Sequence, residues 1–126
     1  MKRIFLAVGS LFLAIIICFF GVFILNKSCN EIASELNKLA LSIETGNMEN
    51  IKKSTENVIV VWEKADKRIE MLTKHAETDE LQKIIKSLPV YAQMGDKDRL
   101  FEETKFALNK IEHILGNEKI HLSNIF

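Results

Sequence analysis

The side chains best suited to chemistry gather in one short run, His75-Ala76-Glu77-Thr78-Asp79-Glu80, with His113 further along the chain. Imidazoles and carboxylates bind divalent metals, and imidazole also exchanges protons near neutral pH. His75, Glu77, Asp79 and His113 therefore form a candidate polar contact site, for a metal ion or for another molecule. A local reading competes with it: a histidine near the C-terminus of one helix, then Thr78 or Asp79 capping the next, with acids in its first turn.

Other reactive groupings are weaker. Glu118-x-x-His121 matches half of a di-iron motif, but such sites need two pairs of this kind and further inward carboxylates. Cys18 lies in an apolar stretch and Cys29 has no histidine neighbour, so neither resembles an activated nucleophile. Cys29 is left as a free thiol or one half of an intermolecular disulfide. The five glycines are scattered, with no phosphate-binding loop or dinucleotide fingerprint. No catalytic, metal or cofactor-binding residue is assigned, and the chain reads as a protein that is not an enzyme.

Composition sets the elements that must carry these groups. The chain has 126 residues, with 17 basic and 17 acidic side chains. Lys2 and Arg3 precede the apolar stretch, leaving 15 basic and 17 acidic residues beyond Leu25, a net charge of −2. A mildly acidic domain lacks the basic face that phosphate contacts require, so no nucleic-acid partner is expected. One proline and an ample supply of Leu, Ile, Lys and Glu favour helix over sheet.

Residues 4–25 contain no charge. As a helix they rise about 33 Å, enough for a hydrocarbon core of roughly 30 Å. The stretch exceeds the usual apolar region of a cleaved leader, and Phe23-Ile24-Leu25 offers no small-residue cleavage site. It reads as a retained transmembrane helix. Lys2 and Arg3 outweigh Lys27, which favours a cytoplasmic N-terminus (residues 1–3) and a C-terminal domain outside the cell membrane. Within the span Ala7, Ser10, Ala14, Cys18 and Gly21 recur every three or four residues, a possible packing face for another membrane helix.

Residues 26–126 carry helical periodicity throughout. One seam runs Ile51, Thr55, Val58, Trp62, Ala65, Ile69, Leu72, Ala76, and another Leu100, Thr104, Ala107, Ile111, Ile114. Shorter seams precede each, Ile32-Leu36-Leu39-Ile43 and Leu81-Ile85-Leu88-Ala92. Gly46-Asn47 and Gly95-Asp96 separate them as helix stop and helix cap. An offset of 49 residues carries Ile32 to Leu81, Gly46 to Gly95, Thr55 to Thr104 and Trp62 to Ile111. The domain is thus predicted to be all-α: a transmembrane helix followed by a four-helix bundle of two similar αα-hairpins, 30–76 and 79–116, with an apolar tail over 117–126. Ser28-Cys29-Asn30-Glu31 is a capping-box pattern that could start the first domain helix afresh. Pro89 should kink the third helix near Ile85. The tail is apolar enough to pack on the bundle or to serve as a contact surface.

Taken in order, Trp62-Glu63-Lys64, His75-Ala76-Glu77-Thr78-Asp79-Glu80-Leu81, Gly95-Asp96-Lys97, Ile111-Glu112-His113-Ile114 and Leu122-Ser123-Asn124-Ile125-Phe126 resemble a bacterial family of short single-span membrane proteins. That family is known as domain of unknown function four-three-six-three. The resemblance covers nearly the whole chain, though the ending Asn-Ile-Phe stands where the family has Asn-Ile-Leu. It implies the topology just described and brings no activity with it. The expected role is a non-enzymatic interaction or accessory subunit in the cell envelope, bound to the bilayer and to another membrane protein or a second copy of itself. The alternative is an extracytoplasmic ligand- or metal-sensing domain using His75, Glu77 and His113.

Overall fold

The computed structural model describes the backbone of residues 1–73 and 75–125, and the side chains of residues 1–73 and 75–116. The chain forms four helices in order: α1 (Lys2–Thr45), α2 (Met48–Leu72), α3 (His75–Met94) and α4 (Lys97–Ile125). Each packs on its neighbours in sequence, and α4 closes the ring against α1. Short turns make successive helices antiparallel, giving an up-down-up-down bundle.

The core is the set of seams expected from the sequence. Leu25, Ile32, Leu36 and Leu39 of α1 face Ile51, Val58, Trp62 and Ile69 of α2, and all are buried. Leu81, Ile85 and Leu88 of α3 and Leu100, Ala107 and Ile111 of α4 complete it. Each fully buried Leu or Ile contributes about 1.5–3 kcal/mol of transfer free energy.

The two hairpin turns repeat the same chemistry. Gly46 and Gly95 adopt φ of +78° and +72°, the left-handed conformation that ends α1 and α3. Asn47 Oδ1 accepts from the Glu49 amide and Asp96 Oδ1 from the Arg99 amide, each at 3.1 Å. Both turns lie at one end of the bundle, where Lys97 Nζ donates to the Gly46 carbonyl at 3.1 Å.

Several local expectations fail. The capping-box pattern at Ser28 starts no helix: α1 runs unbroken from the apolar stretch into the bundle, with Ser28 and Cys29 buried. A box forms only where the preceding backbone is extended, and here a long helix already supplies the amide partners. At the other end of the first hairpin, α2 stops at Leu72 because Thr73 is extended, at φ −141° and ψ 178°. Ala76 therefore belongs to α3 and is exposed, and Thr78 is a buried helical residue instead of a cap. Helix α3 continues through Pro89 to Met94, which leaves the kink expected near Ile85 uncontradicted. Helix α4 likewise continues through Gly116 to Ile125, so the expected tail is helical in its backbone. Whether its side chains pack on the bundle lies outside the described residues.

Candidate functional site

The polar run at the start of α3 is divided among different partners. His75 Nδ1 lies 3.1 Å from Glu70 Oε1, across the α2–α3 turn. His113 Nε2 of α4 lies 3.6 Å from Glu77 Oε1 of α3. Glu80 pairs with Lys110, whose hydrogen bond and charge hold its carboxyl below the usual range. Asp79 is exposed on another side. Thus Glu77 and His113 meet, His75 turns to a residue outside the predicted set, and Asp79 joins neither pair. Among the described residues no group of three or more His, Cys, Asp or Glu side chains could hold a metal ion. The arrangement pins α2, α3 and α4 to one another at one end of the bundle.

The antiparallel register causes this division. Glu80–Lys110 and Glu77–His113 are successive rungs between α3 and α4, set three residues apart on each helix. His75 falls where α2 arrives, so Glu70 reaches it first. Sequence spacing alone carries no signal for that pairing.

Cys29 is wholly buried in the core, where desolvation pushes its thiol up to about 11. Such a thiol is neither a nucleophile nor available for a disulfide with a second chain. Cys18, by contrast, is exposed on α1.

The first half of α1 is a different kind of surface. Ile4, Phe5, Leu6, Leu11, Phe12 and Phe20 all stand exposed. Ala7, Ser10, Ala14 and Cys18 are exposed too, and the Ser10 hydroxyl donates to the Ala7 carbonyl at 2.9 Å. Gly21 is where the bundle begins: a Cβ there would lie 3.2 Å from Leu72 Cδ2 of α2. Eighteen residues make about five helical turns. The stripe Ala7, Ser10, Ala14, Cys18, Gly21 therefore lies on the same side of α1 as Leu25, Ser28, Ile32, Leu36 and Leu39, all buried in the bundle. The core-facing side of α1 continues without rotation into its apolar half.

Two open grooves flank α1 nearer the domain. One, of about 590 Å³, is lined by Phe23, Asn26, Asn30, Ser34 and Val61. The other, of about 350 Å³, lies between α1 and α4 beside Asn30, Asn37, Lys105 and Asn109.

A family model described as Domain of unknown function (DUF4363) matches residues 19–125. The match starts two residues before Gly21, where the bundle begins to pack on α1. No curated protein and no solved structure matches the chain.

Proposed function

The chain belongs to the DUF4363 family, and from that premise we propose that it is a membrane-anchored, non-enzymatic interaction subunit of the cell envelope. The observation that carries this reading is the continuity of α1. One 44-residue helix is apolar and largely exposed over its first half and forms a wall of the bundle over its second. Lipid accounts for the first half, since a helix apolar on every face needs an apolar solvent. Lys2 and Arg3 favour a cytoplasmic N-terminus, with the bundle on the other side.

The interaction role is supported by the alignment of the small-residue stripe with the core-facing side of α1. Inside the bundle that side is covered by α2 and α4; above Gly21 nothing in the chain's described part covers it. A second membrane helix, from another protein or another copy, can approach closely where the side chains are small. The sensing alternative gains no support from the geometry, because His75 and Glu77 turn to separate partners.

The test is extraction and co-purification. The full chain should resist alkaline carbonate and should co-purify with a partner or as an oligomer. Ala14→Leu, which fills the stripe, should abolish that association and leave the bundle's helicity unchanged. A strictly monomeric chain that yields no partner from native membranes would overturn the interaction reading.

A further inference from the structure

The groove between α1 and α4, of about 350 Å³, lies beyond the uncharged run and apart from the His75 cluster. Helix α1 brings Asn30, Ala33 and Asn37 to it, and α4 brings Lys105, Asn109 and Glu112. Each set recurs at steps of three and four residues, one side of a helix. The two helices run antiparallel and are tied level at the far end, where Lys97 Nζ donates to the Gly46 carbonyl. Counting down from that bond sets Asn37 near Lys105, Ala33 near Asn109 and Asn30 near Glu112. The buried Ile111 and the half-buried Leu108 and Leu115 make an apolar floor.

The polar groups around this floor are unused by the fold. The side chains of Asn30, Asn37, Asn109 and Glu112 are exposed and have no hydrogen-bond or ion-pair partner among the described residues. Nor does the repeated architecture call for amides there. At the offset of 49 residues Asn30 and Asn37 correspond to Asp79 and Lys86, and Asn109 to Val60. Ala33 creates the recess, because a single methyl stands between the two amides of α1. Opposite charges mark its two ends: Lys105, resting over the Phe101 ring at 5.3 Å, and Glu112. Seven residues of helix hold them about 10 Å apart.

That pattern fits one ligand chemistry best. An extended chain advances about 3.3–3.6 Å per residue, so about three residues bridge the two ends. A carboxamide carries the same donor and acceptor as a peptide group, so the three amides can pair with a main chain. The floor suits an apolar side chain, and the charged ends suit a carboxylate and an ammonium. A neutral sugar would match the amides but leave Lys105 and Glu112 unpaired, and none of the lining residues is aromatic to stack on its ring.

We propose that the groove between α1 and α4 binds a short extended peptide, its ammonium at Glu112 and its carboxylate at Lys105. This adds a ligand to the interaction reading and does not depend on how deeply α1 is anchored.

The full chain, isotope-labelled in detergent micelles and followed by NMR, is titrated with tripeptides Ala-X-Ala bearing free ends. X is Ala, Val, Leu, Ile, Met or Phe, and each peptide is taken to about 2 mM. Signals of Asn30, Ala33, Asn37 and Asn109 should shift saturably, while the exposed amide of Asn57 on α2 should not. Acetylating the peptide amine should weaken binding about three-fold or more. Glu112→Gln should weaken the free peptide to the same extent and leave the acetylated one unchanged; Lys105→Met should do likewise for peptides with an amidated C-terminus. Ala33→Leu, and independently Asn109→Leu at an exposed position, should abolish the shifts with helicity retained. Absence of saturable shifts with all of these peptides would overturn the proposal. So would equal affinity for free and blocked peptides, or shifts as large at Asn57 as in the groove. Saturable shifts with N,N′-diacetylchitobiose but not with the peptides would assign the groove to a glycan instead.

Discussion

Thr55 and Thr104, 49 residues apart in the sequence, make the same hydrogen bond at equivalent places in the core. Thr55 Oγ1 donates to the Ile51 carbonyl and Thr104 Oγ1 to the Leu100 carbonyl, each at 2.7 Å. Both are buried. The repetition extends to the glycine φ values and the Asn47 and Asp96 caps, so the two hairpins are one structural unit used twice.

This equivalence predicts equal responses. Each hydroxyl returns to a carbonyl of its own helix, so replacing it by a methyl orphans nothing. Thr55→Val and Thr104→Val should each leave stability within about 1 kcal/mol of the parent, with the same sign. Thermal melts of the full chain in detergent, followed by circular dichroism, would check this. A large loss at one site only would show that the two positions differ in a way the shared geometry does not contain.

The glycine turns give a sharper pair. At φ of +78° and +72° a Cβ is strained whatever space surrounds it. Gly46→Ala and Gly95→Ala should each cost about 1–2 kcal/mol. Gly46 carries an extra constraint, because its carbonyl accepts from Lys97 Nζ. Lys97→Met, which places there the residue type of the equivalent position Met48, should cost under about 1 kcal/mol as an exposed contact.

Much of this was legible beforehand because helices write their burial in a period of 3.6 residues. Ile51 through Ile69 and Leu100 through Ile114 stand on the core side as their spacing requires. The caps were legible too, since Gly-Asn and Gly-Asp act locally. What spacing could not supply was the register between helices. Glu70 pairs with His75 because the chain turns at Thr73. The contact of Gly21 with Leu72 joins residues that only the antiparallel pairing brings level. The capping box at Ser28 misled for a related reason: helix propagation through the apolar stretch outweighs a local start signal.

Trp62 offers a test of the core's one unmet donor among the described side chains. It is fully buried, and its indole Nε1 has no hydrogen-bond partner there. An unpaired buried donor costs roughly 1–3 kcal/mol. Trp62→Phe removes that cost while opening a small void, so the net change should stay within about 1 kcal/mol. Trp62→Ala, which only empties space, should cost about 3–5 kcal/mol. Urea denaturation of both variants would compare them. Equal losses would mean that the indole N–H is satisfied in solution.

Cys29 should make the bundle sensitive to alkali. Its thiol ordinarily titrates at 9.0, and burial raises it to about 11 in the folded chain. Below pH 9 the group is protonated in both states and pH does not alter its contribution. Between 9 and 11 the unfolded chain gives up the proton and the folded chain keeps it. The unfolded state then binds fewer protons, and folding stability falls as pH rises. The loss attributable to this group should approach about 2–3 kcal/mol by pH 11. The measured quantity is the difference between the parent and Cys29→Val, a substitution of similar volume that cannot ionise, so that pH effects common to both chains cancel. The difference should narrow steadily above pH 9, because only the parent loses this contribution. A pH-independent difference would mean that the thiol reaches water in the folded chain. Maleimide labelling supplies a second readout: at pH 8 Cys29 should react at least about 100-fold more slowly in the folded chain than in the denatured one, since a buried thiol is both protonated and shielded.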